Sequence, residues 1–181
     1  MLAAAFDDDP VLNWLFEPAP DVSAAIRRFF ELAVGGAIRR GHTYAVGTEV
    51  DAPHGVALWL PPGVMSTFDE QPDAIVEFAT EYVGGDVFDR FGVIRELMGG
   101  HHPEEPAFYL NFVGVDPTAQ GSGLGAQLLQ PVLDRCNHDR LPAYLESSNP
   151  RNVPFYERLG FTVISEFGPA EGVPMAGMWR A

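Results

Sequence analysis

Apolar and polar positions along this chain follow two periods, helical spacing in some stretches and short continuous apolar runs in others, and the two kinds alternate. Leu2 to Glu17 reads as helix with apolar Leu2, Phe6, Leu12, Leu15 and Phe16, interrupted at Pro10. The spacing of Ala25, Ile26, Phe29, Phe30, Ala33, Val34 and Ile38 predicts a second amphipathic helix over Asp21–Arg40, with Gly41 as its C-cap. Thr43–Val50 and Val56–Leu60 read as two strands of a hairpin, joined by the turn-rich Asp51–Gly55. Helical stretches follow around Ala74–Tyr82 and Val87–Met98, with Gly84-Gly85 between them.

The second half is more regular. Phe108–Val115, rich in aromatic and β-branched residues, reads as a buried strand that ends at Asp116-Pro117. A helix over Gln120–His138 comes next, with Pro131 inside it, then a short strand at Ala143–Ser147 and a helix over Arg151–Leu159. Phe161–Phe167 and Met175–Trp179 close the sheet as antiparallel strands about the Gly168–Pro174 connection. Neither a linker nor an internal repeat interrupts the order, so residues 1–181 form one α/β domain.

Composition narrows the function classes. A chain of 181 residues is large enough to bury about two-thirds of its unfolded surface. Its hydrophobic fraction of 46%, with no apolar run long enough for a span, argues against a membrane protein. A net charge of −14 argues against nucleic acid and is compatible with a cationic amine. The first residues carry no basic leader, so no secretory signal is expected. The single cysteine, Cys136, excludes an internal disulfide and fits a reducing, cytoplasmic setting. It continues the Leu128 and Val132 series at helical spacing, as a core thiol would. Asp7-Asp8-Asp9 falls just before Pro10, where a helix C-terminus makes negative charge unfavourable, and is expected as a solvated turn rather than as a group facing a cationic ligand. His101-His102 has no ligand partners at metal spacing and reads as a loop, so no metal is expected.

The chemistry concentrates at Gln120-Gly121-Ser122-Gly123-Leu124-Gly125, three glycines at alternate positions where a strand gives way to a helix. Bare backbone N–H groups at a helix N-terminus suit a phosphate or diphosphate. A strand–turn–helix joint using glycine only for tight packing accounts for the glycines equally well. The chain contains no lysine, which excludes a Walker loop. The third glycine comes one residue early for a dinucleotide fingerprint. Gln120 stands where a nucleophile elbow needs glycine, so Ser122 is not such a nucleophile.

Gln-x-x-Gly-x-Gly after a strand resembles the acyl-CoA diphosphate loop of the GNAT N-acetyltransferase superfamily. Asn152-Val153-Pro154-Phe155-Tyr156, followed by Gly160-Phe161, resembles its second signature. LAAAF at the start, HHPEEPAFYL, and the stretch from Ala143 to Val163 extend the likeness to the puromycin N-acetyltransferase type of actinobacteria, strongly from His101 to Val163. The resemblance implies a GNAT fold, a mixed, mostly antiparallel sheet flanked by helices. It also implies acetyl-CoA as co-substrate, held by Val113, Val115, Gln120, Gly121, Ser122, Gly123, Leu124, Gly125, Asn152 and Tyr156.

Further implications follow from the same likeness. The strand before the loop splays from its neighbour, and a backbone N–H near Val113 polarises the thioester carbonyl. Tyr156 is the general acid for the departing thiolate, and a phenol, with a pKa of about 10, is protonated at neutral pH. Its rival reading is a tyrosine packed on the sheet, and that of Asn152 is a helix cap. Glu146 is the favoured general base, with Tyr109, Tyr144 and His102 as rivals. The first two helices and the middle region shape the acceptor pocket. Amine attack is direct, and the lack of a Cys-His or Ser-His pairing motif agrees with that.

One departure stands out: the strand that usually opens this family is missing before the first helix. Either that strand is dispensable, or the start is truncated, or a partner, as in a homodimer, covers the sheet edge. The expected activity is acetyl transfer to a primary amine of a small molecule, an antibiotic-like compound or a metabolite. Acetylation of a protein lysine or N-terminus, and a non-catalytic acyl-CoA sensor, are the alternatives.

Overall fold

The computed structural model describes residues 1–47, 52–68 and 71–181. Three helices come first, α1 (Leu2–Ala5), α2 (Pro10–Phe16) and α3 (Val22–Ile38). The hairpin β1 (Thr43–Val46) and β2 (Gly55–Leu60) follows; the end of the expected Thr43–Val50 strand and Asp51 lie outside the described residues. Then come α4 (Pro72–Phe78), a π-helical turn over Ala79–Val83, and α5 (Gly85–His101). The second half runs β3 (Phe108–Val115), α6 (Leu124–Asp139), β4 (Ala143–Ser147), α7 (Val153–Arg158), β5 (Thr162–Ala170) and β6 (Val173–Arg180).

Aspartates set two of the helix starts. Asp21 accepts from the Ala24 N–H at 2.9 Å to open α3. Asp9 does the same for α2, its Oδ1 accepting from Val11 and Leu12 at 3.0 and 2.9 Å, with Pro10 at the first helical position. This corrects the reading of Asp7–Asp9. Asp9 lies at a helix N-terminus, where negative charge is favoured, and it is buried rather than solvated. Two other bounds shift for local reasons. A 3-10 turn at Pro117–Ala119 and the positive φ of Gly121 and Gly123 delay α6 to Leu124. Asn149 caps a 3-10 turn at Pro150–Asn152, so α7 begins only at Val153.

The six strands lie in the order β1-β2-β3-β4-β6-β5. All neighbours are antiparallel except β3 and β4, so the sheet is mixed and mostly antiparallel as expected. Among the described residues no strand precedes α1, and β1 and β5 form the sheet's edges. Both faces are covered. Val56 and Leu58 of β2 join Phe16, Phe29 and Phe30 beneath α2 and α3. Ala57 and Trp59 point the other way, to Leu129, Val132 and Phe161 under α6 and α7. Burial on both sides explains why Val56–Leu60 is continuously apolar rather than alternating.

Cys136 is among the fully buried residues of that second layer, and burial pushes its thiol pKa up. The native protein should therefore be silent to an aromatic disulfide reagent and release one equivalent of colour only after denaturation. A fast reaction of the native protein would contradict this packing. No helix of the described residues is long and apolar enough to cross a membrane.

Candidate active site

The glycine loop lies exposed at the start of α6. Gly121 and Gly123 have φ of +75° and +85°, a region an L side chain enters only with strain. The Ser122 hydroxyl donates to the Ala119 carbonyl, and the Gln120 amide reaches back to the Val115 carbonyl at 3.2 Å. These bonds fold the loop onto itself and leave the first-turn N–H groups of the 16-residue helix α6 pointing outward. A Cβ on Gly125 would sit 3.2 Å from the Phe155 ring and 4.0 Å from Val115, so the loop abuts the end of β3 and the start of α7.

From the loop, a cleft runs between β3 and β4. The two strands pair only at Phe108 with Ala143, Tyr109 with Tyr144 and Leu110 with Leu145. Beyond Leu110 they part, and Phe112–Val115 of β3 pair with β2 alone. A bulge starts the divergence: Leu58 faces Phe112 while Trp59 faces Leu110, which leaves Asn111 as the extra residue on β3. The Asn111 side-chain oxygen is buried without a hydrogen-bond partner among the described residues. Opened strands present backbone donors and acceptors that an extended chain can satisfy.

The cleft widens into a cavity of about 620 Å³. Its walls come from α2, α3, residues 65–68, α5, β3, β4 and α7. Val113, Asn152, Tyr156 and Glu146 all line it, whereas Val115 and the residues from Gln120 to Gly125 lie outside its lining. Asn152 makes no side-chain cap to α7, so capping does not account for it. Tyr156 is 7% exposed, packed between Phe155 and Phe161. Burial, with a smaller contribution from the Asp9 charge, pushes its phenol pKa well up, so it is a proton donor throughout the neutral range.

Glu146 is the more unusual group. Its side chain is 2% exposed, and neither oxygen has a hydrogen-bond partner among the described residues. His102 Nδ1 stands 3.6 Å from Oε1, and the His102 ring meets Tyr109 and Tyr144 edge-on at 5.3 and 4.6 Å. Burial and then the Glu146 charge drive both phenols to higher pKa. Tyr109, Tyr144 and His102, the rivals for the base, thus stand around the Glu146 carboxylate. His101 turns away and stacks on Phe167 at 4.1 Å. The expected loop at His101-His102 is in fact the end of α5. Among the described residues no cluster of three or more potential ligands could hold a metal.

Sequence reasoning missed Asp9 and Ser148, both in the cavity wall. The Ser148 hydroxyl donates to Asp9 Oδ2 across 139 residues of sequence. The local signal for Asp9 was its place before Pro10, which fits an N-cap as well as a turn. Nothing local marks Ser148.

Comparison with known proteins agrees with this geometry. Residues 91–180, from α5 to the end of β6, match the family described as "Acetyltransferase (GNAT) domain". Residues 91–180 carry a GNAT acetyltransferase domain. An uncharacterized N-acetyltransferase of Schizosaccharomyces pombe is 29% identical, over 88% of this chain and 67% of that protein. An L-methionine sulfoximine/L-methionine sulfone acetyltransferase of Salmonella typhimurium is 35% identical over 49% of this chain, half of its own length. In structure, a protein of Corynebacterium glutamicum described as histone acetyltransferase HPA2 and related acetyltransferase superposes with a TM-score of 0.65. It covers 99% of this chain, the match covers 86% of that protein, and the two are 25% identical. The GNAT domain here is therefore an acetyl-transferring enzyme.

Proposed function

We propose that this GNAT domain transfers the acetyl group of acetyl-CoA to a primary amine of a small molecule, by direct attack. The observation that carries the reading is that a buried carboxylate and a protonated phenol, Glu146 and Tyr156, face one cavity at the mouth of the β3–β4 cleft. Acetyl-CoA supplies the activated acyl group as a thioester. The outward N–H groups of Gly121 to Gly125, with Gln120, Ser122 and Leu124, suit its diphosphate. The open edge of β3 from Val113 to Val115 suits the pantetheine amides, and the Val113 N–H the thioester carbonyl. Asn152 is placed to contact the same arm. Glu146 takes the proton of the attacking amine, directly or through water, and Tyr156 gives its proton to the leaving thiolate.

The cavity's size and enclosure favour a small acceptor over a polypeptide, and the puromycin-type likeness of residues 101–163 favours an aminonucleoside-like antibiotic or a metabolite amine. A cytoplasmic setting fits the single, buried thiol. Thiol release from acetyl-CoA across a panel of amines that includes puromycin tests the reading; Cys136, being buried, should add no background. Turnover with a particular amine supports it. Transfer to peptides but to no small amine would replace it with a protein acetyltransferase, and bound acetyl-CoA with no thiol release to anything would replace it with a sensor.

Two substitutions separate the parts. Glu146→Gln should lower kcat by about 100-fold or more with acetyl-CoA affinity retained, whereas an unchanged pH–rate profile would remove Glu146 as base. Gly123→Val places a β-branched side chain at a φ of +85° and should weaken acetyl-CoA binding by at least about tenfold. Unaltered affinity by calorimetry would sink the loop's assignment.

A further inference from the structure

Inside the proposed acceptor cavity stands a hydroxyl with a fixed polarity. Ser148 follows β4 directly, two residues after Glu146, and lines the same space. A serine hydroxyl has one hydrogen and two lone pairs. The Ser148 hydrogen is committed to Asp9 Oδ2. Asp9 is itself 4% exposed and cannot turn away, because its Oδ1 holds the N–H groups of Val11 and Leu12. The neighbouring Ser147 takes no part, since its hydroxyl donates to the Asn149 carbonyl at 3.0 Å. Toward the cavity, then, Ser148 offers only lone pairs, with a carboxylate behind them.

A group of that polarity selects its ligand. A carbonyl or carboxylate placed there would find no hydrogen. An ammonium would find an acceptor whose lone pairs the bond to Asp9 polarises. We infer that Ser148, held in place by Asp9, receives an N–H of the incoming acceptor and restricts it to amines that enter as cations. The inference rests on the amine-acetylating reading above and assigns it a specificity residue, Ser148, and a positioning residue, Asp9. The ammonium then lies beside Glu146, which removes its proton. This order of events fits the strand: Ser148 binds, and Glu146, two residues back, deprotonates.

The test uses the full chain, a cationic primary amine from the panel and acetyl-CoA. Ser148→Ala removes the acceptor. Asp9→Asn keeps a capping oxygen for α2 but turns an amide N–H2 toward Ser148, which frees the hydroxyl hydrogen to face the cavity. Each variant should raise the amine KM by about 10- to 100-fold, with acetyl-CoA affinity by calorimetry and the melting temperature close to the parent's. Ser148→Thr should restore most of the affinity. Because Asp9 acts through Ser148, the double variant should be no worse than Ser148→Ala alone. An unchanged KM in Ser148→Ala, or losses that multiply in the double variant, would overturn the inference while the parent's turnover leaves the amine reading standing. A parent that binds acetyl-CoA and acetylates no amine would overturn both.

Discussion

Tyr156→Phe is expected to lower turnover by about 100- to 10,000-fold while leaving acetyl-CoA affinity near that of the parent. The substitution deletes one oxygen from a ring that keeps its packing against Phe155 and Phe161, so the fold has no reason to respond. On the proposed mechanism, what is lost is the proton for the thiolate. Burial makes this phenol a poor acid in isolation, and its pKa stands above the ordinary value. A thiol has an ordinary pKa of about 8.5 in water, below that of the phenol, so transfer to a fully formed thiolate would run uphill and the proton must move as the C–S bond breaks. Steady-state rates with saturating acetyl-CoA, together with calorimetric affinity, decide the matter. Equal turnover in the phenylalanine variant would remove Tyr156 from the chemistry and leave it a packing residue.

Phe16→Ala is the largest expected effect on stability, about 3–5 kcal/mol. Phe16 is fully buried and touches Phe29, Phe78 and Phe91 edge-on, with ring centroids 5.5, 6.2 and 5.7 Å apart. Those rings belong to α3, α4 and α5, so one side chain of α2 ties three other helices together. Typical domains hold only about 5–15 kcal/mol in total, and the melting temperature should fall by roughly 10 °C. The cavity proposed for the acceptor is lined by Phe29 and Phe91 of this cluster. Amine binding should therefore suffer in the variant even below its melting point. A denaturant midpoint within experimental error of the parent's would mean that the N-terminal helices are not packed as described.

Much of this molecule was legible because its signals are local. The two periods locate nearly every element, and positive φ at Gly121 and Gly123 follows from a glycine spacing visible in one line of sequence. Tyr156 and Asn152 were found through a motif whose positions lie one helical turn apart. Helix starts were less legible, because 3-10 turns at Pro117–Ala119 and Pro150–Asn152 use the same proline and small polar residues as a helix N-terminus. What could not be read is whatever depends on distant residues meeting. Glu146 was visible as an acidic residue on a strand, but not its enclosure by His102, Tyr109 and Tyr144. Asp9 looked like surface charge because a run of three aspartates usually is. Only tertiary packing separates it from Asp8, which stays exposed and pairs with Arg151 at 3.2 Å.

The short pairing of β3 with β4 bears on how the protein breathes. Three register pairs are all that join the β1-β2-β3 half of the sheet to the β4-β6-β5 half along their shared seam. On its open side the backbone of 112–115 pairs with no strand. A ligand laid into that seam would act as the missing length of strand and stabilise the folded state by mass action, about 2.7 kcal/mol at a hundred times its Kd. Amide exchange along 111–115 and 146–148 should then slow on adding acetyl-CoA far more than it does at the sheet's outer edges. The seam that opens to admit the co-substrate would be the part of the molecule whose rigidity depends on having it.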